Sequence, residues 1–131
     1  MELTQEQAYV VMDALELYSR IHMGQFENIE FMLSLDRFNK KTNMHTYNRD
    51  LAKEHLMEAR DVLFEGLSRN AYVGIIATNR RSQISWDVYQ KIRYDISDYK
   101  NMNGEHTATY GELFRLTDEP LPKITITEEP Q

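Results

Sequence analysis

A chain of 131 residues sits near the commonest domain size and can bury a modest core, so one domain spanning 1–131 is expected. Fifteen Lys and Arg against 21 Asp and Glu leave a net charge of −6, which argues against a DNA or RNA duplex binder that relies on neutralising phosphates. The absence of cysteine removes disulfides, thiolate metal sites and cysteine nucleophiles, and suits a reducing compartment.

MELTQEQAYV lacks the basic start and apolar run of a signal peptide, and no segment reaches the ~18 consecutive apolar residues of a membrane span. A cytoplasmic protein with no membrane association is the expectation. Thr4 with Gln7 reads as a capping box, and Val10, Val11, Ala14, Leu15, Leu17, Tyr18 and Ile21 recur at helical spacing, predicting a helix over 5–22. Phe26, Ile29, Met32 and Leu33 continue the period beyond Gly24, so the run kinks or breaks there. Residues 36–47 collect Asn, Thr and Lys without period and read as a loop.

Asn48 is a plausible N-cap for a third helix carrying Leu51, Ala52, Leu56, Ala59, Val62 and Leu63 and ending near Gly66. AYVGII at 71–76 is β-prone, but too short to separate a strand from a buried loop. Ile84, Val88, Ile92, Ile96 and Tyr99, following Ser82, predict a last helix to about Lys100. Beyond 104, HTATY and KITIT alternate in the β manner around Pro120 and Pro122, predicting two short strands in an arm that pairs with a sheet edge of its own or another subunit. The fold class is therefore α+β, mostly helical with three to four helices, comprising a helical core over 4–100 and a β arm over 104–131.

Walker, dinucleotide-glycine, HExxH, GxSxG and EF-hand patterns are absent. The four histidines form no i, i+4 pair; His55, between Leu51 and Ala59, reads as a hydrogen-bonded core histidine rather than a ligand, so no metal is expected. Glu6, Glu16, Glu54, Glu58 and Asp98 fall on polar helix faces with no sign of the desolvation a catalytic acid needs. No catalytic residue and no cofactor are assigned.

Polar groups in unusual places carry more information. Trp86, Tyr89 and Arg93 share a helix face, an arrangement that could stack a base and hold a phosphate. The bland alternative is that both rings widen the core stripe while Arg93 snorkels to Asp87 or Asp95. Arg80 and Arg81 add positive charge near the helix N-terminus, where backbone N–H groups already favour an anion. Arg60 lies at the edge of its apolar face with poorly placed carboxylate neighbours; simple exposure stands beside an anion or a subunit as its partner. In LYSRIHMGQF, Gly24 would let a subunit or ligand approach the backbone, Gln25 offers an amide able to donate and accept, and Arg20 one turn earlier supplies charge, the alternative being a simple helix kink with solvated polar groups.

DALELYSRIHMGQFENI at 13–29, NRDLAKEHLMEARDVLF at 48–64 and SQISWDVYQKIRYDI at 82–96 together resemble the Thoeris anti-defence family of phage signal sponges, the first of its two named types, over roughly 80 residues. The resemblance implies a non-enzymatic protein in the bacterial host cytoplasm that binds a cyclic ADP-ribose isomer made by an immune TIR enzyme and withholds it from its effector. It also implies homo-oligomers with ligand sites between subunits and, in some members, separate sites for cyclic oligonucleotides. Local chemistry then nominates Arg20, Gly24, Gln25, Arg60, Tyr72, Arg81, Trp86, Tyr89 and Arg93 as ligand-binding residues. Two other classes stay open: inhibition of a host protein by surface contact, and a small nucleotide hydrolase.

Overall fold

The computed structural model describes residues 1–105 and 113–128. Helix α1, Gln5–His22, follows strand β1, Glu2–Thr4, and opens on the expected capping box: Gln7 N–H donates to the Thr4 hydroxyl at 3.1 Å and Thr4 N–H to Gln7 Oε1 at 2.9 Å. It stops at Gly24. There Gly24 N–H donates to the Ile21 carbonyl and Gln25 N–H to the Arg20 carbonyl, at 3.0 and 2.9 Å, while Gly24 holds φ +78°. That pair of bonds is a Schellman cap, which requires a left-handed residue at this position, so the interruption is a full break and a separate helix α2, Glu27–Asp36, begins after it. Asn48 caps α3, Arg49–Leu63, and Asn79 caps α4, Arg80–Met102, each accepting from a backbone N–H three residues on.

Helices α1 and α4 pack antiparallel. Ser19 Oγ donates to the Ser82 carbonyl at 3.0 Å and Ser85 Oγ to the Leu15 carbonyl at 2.8 Å, so small hydroxyl side chains let the two backbones approach at this end. Towards the other end the contact becomes apolar: Ala8, Ile92 and Ile96 form a buried cluster flanked by Leu3, Val11, Leu15, Val88, Ile124 and Ile126. Strand β4, Thr125–Thr127, seals this cluster by pairing parallel with β1, Leu3 opposite Ile126. The C-terminal arm thus pairs with the N-terminus of its own chain. The buried Asp87 carboxylate of α4 fixes the approach to β4, accepting from Leu116 N–H at 2.7 Å and from the Thr117 N–H and hydroxyl at 3.0 and 2.7 Å.

The architecture is α+β and mostly helical, with four helices and two two-stranded sheets among the described residues. Several local expectations change. Within 36–47, Phe38–Asn39 (β2) pairs antiparallel with Met44–His45 (β3), the turn between them closed by Asn39 Oδ1 accepting from Lys41 N–H. AYVGII forms no strand; it runs extended into a 3-10 turn at Ile75–Ala77, and no strand pairs with it among the described residues. The HTATY segment lies outside the described residues. On α3 the buried face is the one centred on Arg60, which leaves Leu51, Val62 and Leu63 exposed, Val62 at 79%. His55 accordingly lies on the surface, its side chain 66% exposed, with Nδ1 3.4 Å from Glu58 Oε2.

Candidate functional site

The nine residues nominated from sequence separate mainly into two clusters that meet at the α1–α2 junction. The first is buried. Arg60, expected at the edge of the apolar face with an exposed side chain, is instead 0% exposed; its Nε donates to the Gly24 carbonyl at 2.7 Å, Nη1 to the Ser68 carbonyl at 3.3 Å, and Nη2 to the Ser68 and Ala71 carbonyls. The guanidinium fork matches three carbonyls converging from two loops, which a single ammonium could not do. The Tyr72 ring lies over the guanidinium at 5.6 Å, and no carboxylate forms an ion pair with it among the described residues. The close neighbour at Gly24 is Arg60 of the same chain rather than a subunit or ligand: a Cβ at Gly24 would stand 3.3 Å from Arg60 Nε. Gly24→Ala meets both this contact and a left-handed φ, and should cost about 1–2 kcal/mol of stability, read as a lowered urea midpoint.

Tyr72 extends the cluster outward, its hydroxyl donating to Glu27 Oε1 at 2.6 Å. That bond to a carboxylate, with burial, holds the phenol above its usual range and so keeps it a donor.

The second cluster is partly open. Arg20 Nε donates to Glu16 Oε1 at 2.9 Å, Nη1 donates to Gln25 Oε1 at 2.6 Å, and the guanidinium carbon lies 5.6 Å from the Trp86 ring centre. Trp86 packs on Tyr89 with ring centres 5.1 Å apart. Burial first, then the Glu16 charge, pushes the Tyr89 hydroxyl above its usual range, while Arg93 and Arg20 oppose the shift. Arg20, Gln25, Trp86 and Tyr89 are therefore one assembly, with Arg93 within electrostatic reach of Tyr89. Of the nearby carboxylates, Asp87 accepts from residues 116 and 117, and Asp95 pairs with Lys91 at 2.6 Å. Arg81 is exposed at the start of α4 and forms no ion pair among the described residues, whereas neighbouring Arg80 is bound to Asp118 and Glu119.

Two clefts flank Arg20. One, about 520 Å³, runs between α1 and α2 and is lined by Asp13, Glu16, Asn28, Phe31 and Leu35 among others. The other, about 570 Å³, lies between the start of α2 and α3 and is lined by Glu27, Glu30, Arg49 and Lys53 as well as Glu16 and Arg20. Sequence reading did not single out its central ion pair: Glu30, 2% exposed, accepts from Arg49 Nε at 2.5 Å, Arg49 Nη2 at 3.2 Å and the Tyr47 hydroxyl at 2.9 Å. Its 19-residue separation leaves no local pattern to notice.

Among the described residues no group of His, Asp or Glu is arranged to hold a metal, and no helix is long and apolar enough to cross a membrane. No protein-family model, curated protein or solved structure matches the chain.

Proposed function

We propose that the protein binds an anionic cyclic nucleotide signal, a cyclic ADP-ribose isomer or a cyclic oligonucleotide, and withholds it without chemical change, as a phage anti-defence protein acting in the bacterial cytoplasm. The observation that carries the reading is the assembly of Arg20, Gln25 and the Trp86 ring, the ring backed by Tyr89, which is itself buried at 7% exposed, with Arg20 lining two clefts: a combination of stacking ring, amide and guanidinium. Glu16 neutralises much of the Arg20 charge. Selectivity therefore falls to directional hydrogen bonds and ring stacking, with Arg93 and Arg81 as further sources of positive charge. Arg60 and Tyr72 act from behind: the buried fork ties the α1–α2 turn to the 68–71 loop and so holds Gln25 in place.

The proposal includes association of copies of the chain. Leu51, Val62 and Leu63 on α3, and Phe31 and Leu35 on α2, are exposed, and covering such surface is a favourable route to closing an open site. The same apolar surface favours a second reading, inhibition of a host protein by surface contact.

Isothermal titration with cyclic ADP-ribose isomers separates these readings. Saturable binding is expected, and Trp86→Ala should weaken it about tenfold to a hundredfold, the usual value of one aromatic stack. An unchanged affinity in folded Trp86→Ala removes the aromatic cluster from the site, and the absence of binding by the native protein favours the protein-contact reading.

A further inference from the structure

Cations are scarce in this chain, 15 Lys and Arg against 21 Asp and Glu, yet the β2–β3 hairpin gathers several with no carboxylate. Its Arg37, Lys40 and Lys41 form no ion pair among the described residues. Every residue from 35 to 44 is exposed, Met44 at 67%. Cross-strand partners share a face, so Met44 projects with Asn39 on the side opposite Phe38 and His45. A two-stranded hairpin this exposed is marginal alone in water and gains from a surface to lie on. The α1–α2 cleft has the opposite imbalance. Glu16 is matched to Arg20, but Asp13 and Asp36, which also line it, form no ion pair among the described residues. Burial first, then the Glu16 charge, holds the Asp13 carboxyl above its usual range. Asp36 ends α2 in a last turn with no basic residue, where the helix dipole disfavours a carboxylate. An added cation eases both. Leu17, Phe31 and Leu35 give the same cleft an apolar lining.

We infer that the β2–β3 hairpin of one copy of the chain seats in the α1–α2 cleft of a second copy, Lys40 and Lys41 facing Asp13 and Asp36 while Met44 packs on the apolar lining. The hairpin does not serve its own cleft. His45 packs on Tyr47, whose hydroxyl donates to Glu30, so the root of the hairpin is tied to the Glu30–Arg49 pair between α2 and α3, and neither lysine pairs with a carboxylate of its own chain among the described residues. A second copy is the occupant because donor and acceptor surfaces adjoin: Asp36 lines the cleft and Arg37 opens the hairpin. Adjoining complementary surfaces are exchanged reciprocally about a two-fold axis, so one geometry satisfies both at once. A single exposed ion pair contributes little; the reciprocal set and the apolar contact act together. The inference rests on the association of copies within the proposed function and adds a consequence for the site. Arg20 lines this cleft, so the partner's hairpin closes one side of the Arg20 assembly to water.

Sedimentation equilibrium at low and high salt tests this, with thermal melts confirming that each variant is folded. Native protein should sediment as paired chains at low salt and shift toward single chains at high salt, because exposed ion pairs are screened. One variant carries Lys40→Glu with Lys41→Glu, another Asp13→Lys with Asp36→Lys. Each should self-associate about tenfold or more weakly, since like charges then face each other. Mixing the two should restore the pair, because the reversed hairpin of one meets the reversed cleft of the other, and the unaltered hairpin meets the unaltered cleft. Native protein that stays a single chain overturns the inference, as does a mixture that fails to associate. Pairing unaffected by either reversal also overturns it, placing the interface elsewhere while association itself stands. Binding of cyclic ADP-ribose isomers to the same proteins reports on the ligand reading separately, so a single chain that binds them loses only the interface.

Discussion

Arg60→Met should lower the unfolding free energy by about 3 kcal/mol or more, seen in urea denaturation and as a fall in melting temperature of roughly 10 °C for a domain of this size. The side chain is fully buried and its donors serve the carbonyls of Gly24, Ser68 and Ala71. Methionine fills most of the volume but leaves the Gly24 and Ala71 carbonyls without the guanidinium, while the Ser68 carbonyl keeps its bond from Ala71 N–H. Each such acceptor costs about 1–3 kcal/mol, and stacking on Tyr72 is lost as well. Arg60→Lys should recover only part of this, because one ammonium on a flexible stem cannot serve carbonyls contributed by two separate loops. A melting temperature within 2 °C of native for Arg60→Met, an arbitrary but narrow tolerance beside the predicted shift, would show that the fork does not hold the loops together.

Glu30→Ala should cost about 2–3 kcal/mol, somewhat less than removal of one member of a wholly buried pair, since water can reach the Arg49 left behind, whose side chain is 35% exposed. The same pair makes stability depend on pH. The Arg49 guanidinium, with help from the Tyr47 hydroxyl, holds the Glu30 carboxyl below its ordinary 4.5 against the opposing effect of burial. A carboxyl that is more acidic folded than unfolded stabilises fully above the unfolded value and loses that contribution as pH falls through the folded one. Native protein should therefore lose stability below about pH 4.5 more steeply than Glu30→Gln, whose side chain does not titrate. Parallel curves for the two proteins, measured by urea denaturation between pH 3 and 7, would place acid sensitivity elsewhere.

Helix ends were legible because their chemistry is local. Thr4 with Gln7, Asn48 and the break at Gly24 each act within a few residues of themselves, whereas the Asn79 cap, upstream of the expected start of α4, went unread. What escaped reading depends on distant partners. Ser19, Ser82 and Ser85 look like surface residues in sequence, yet the structure makes them the close seam between α1 and α4. Strand β1 has three residues and exists because the other end of the chain arrives beside it. Arg60 gave no sign of burial, since one of its acceptors is a backbone carbonyl 36 residues earlier, and its burial turns the apolar Leu51, Val62 and Leu63 outward. In the candidate site, the i, i+3 relation of Trp86 and Tyr89 and the proximity of Arg20 to Gln25 were readable. Glu27 and Lys53 were not, because only the cleft makes neighbours of α2 and α3 residues.

Sequestration makes one demand that neither catalysis nor surface inhibition shares: the ligand must be held and then returned unaltered. Purified protein mixed with cyclic ADP-ribose isomers and cyclic oligonucleotides, filtered, heat-denatured and analysed by mass spectrometry measures this directly. Intact ligand retained on the protein and released only on denaturation is the predicted result. Release of a hydrolysed product, or retention of no nucleotide at all, would contradict the account.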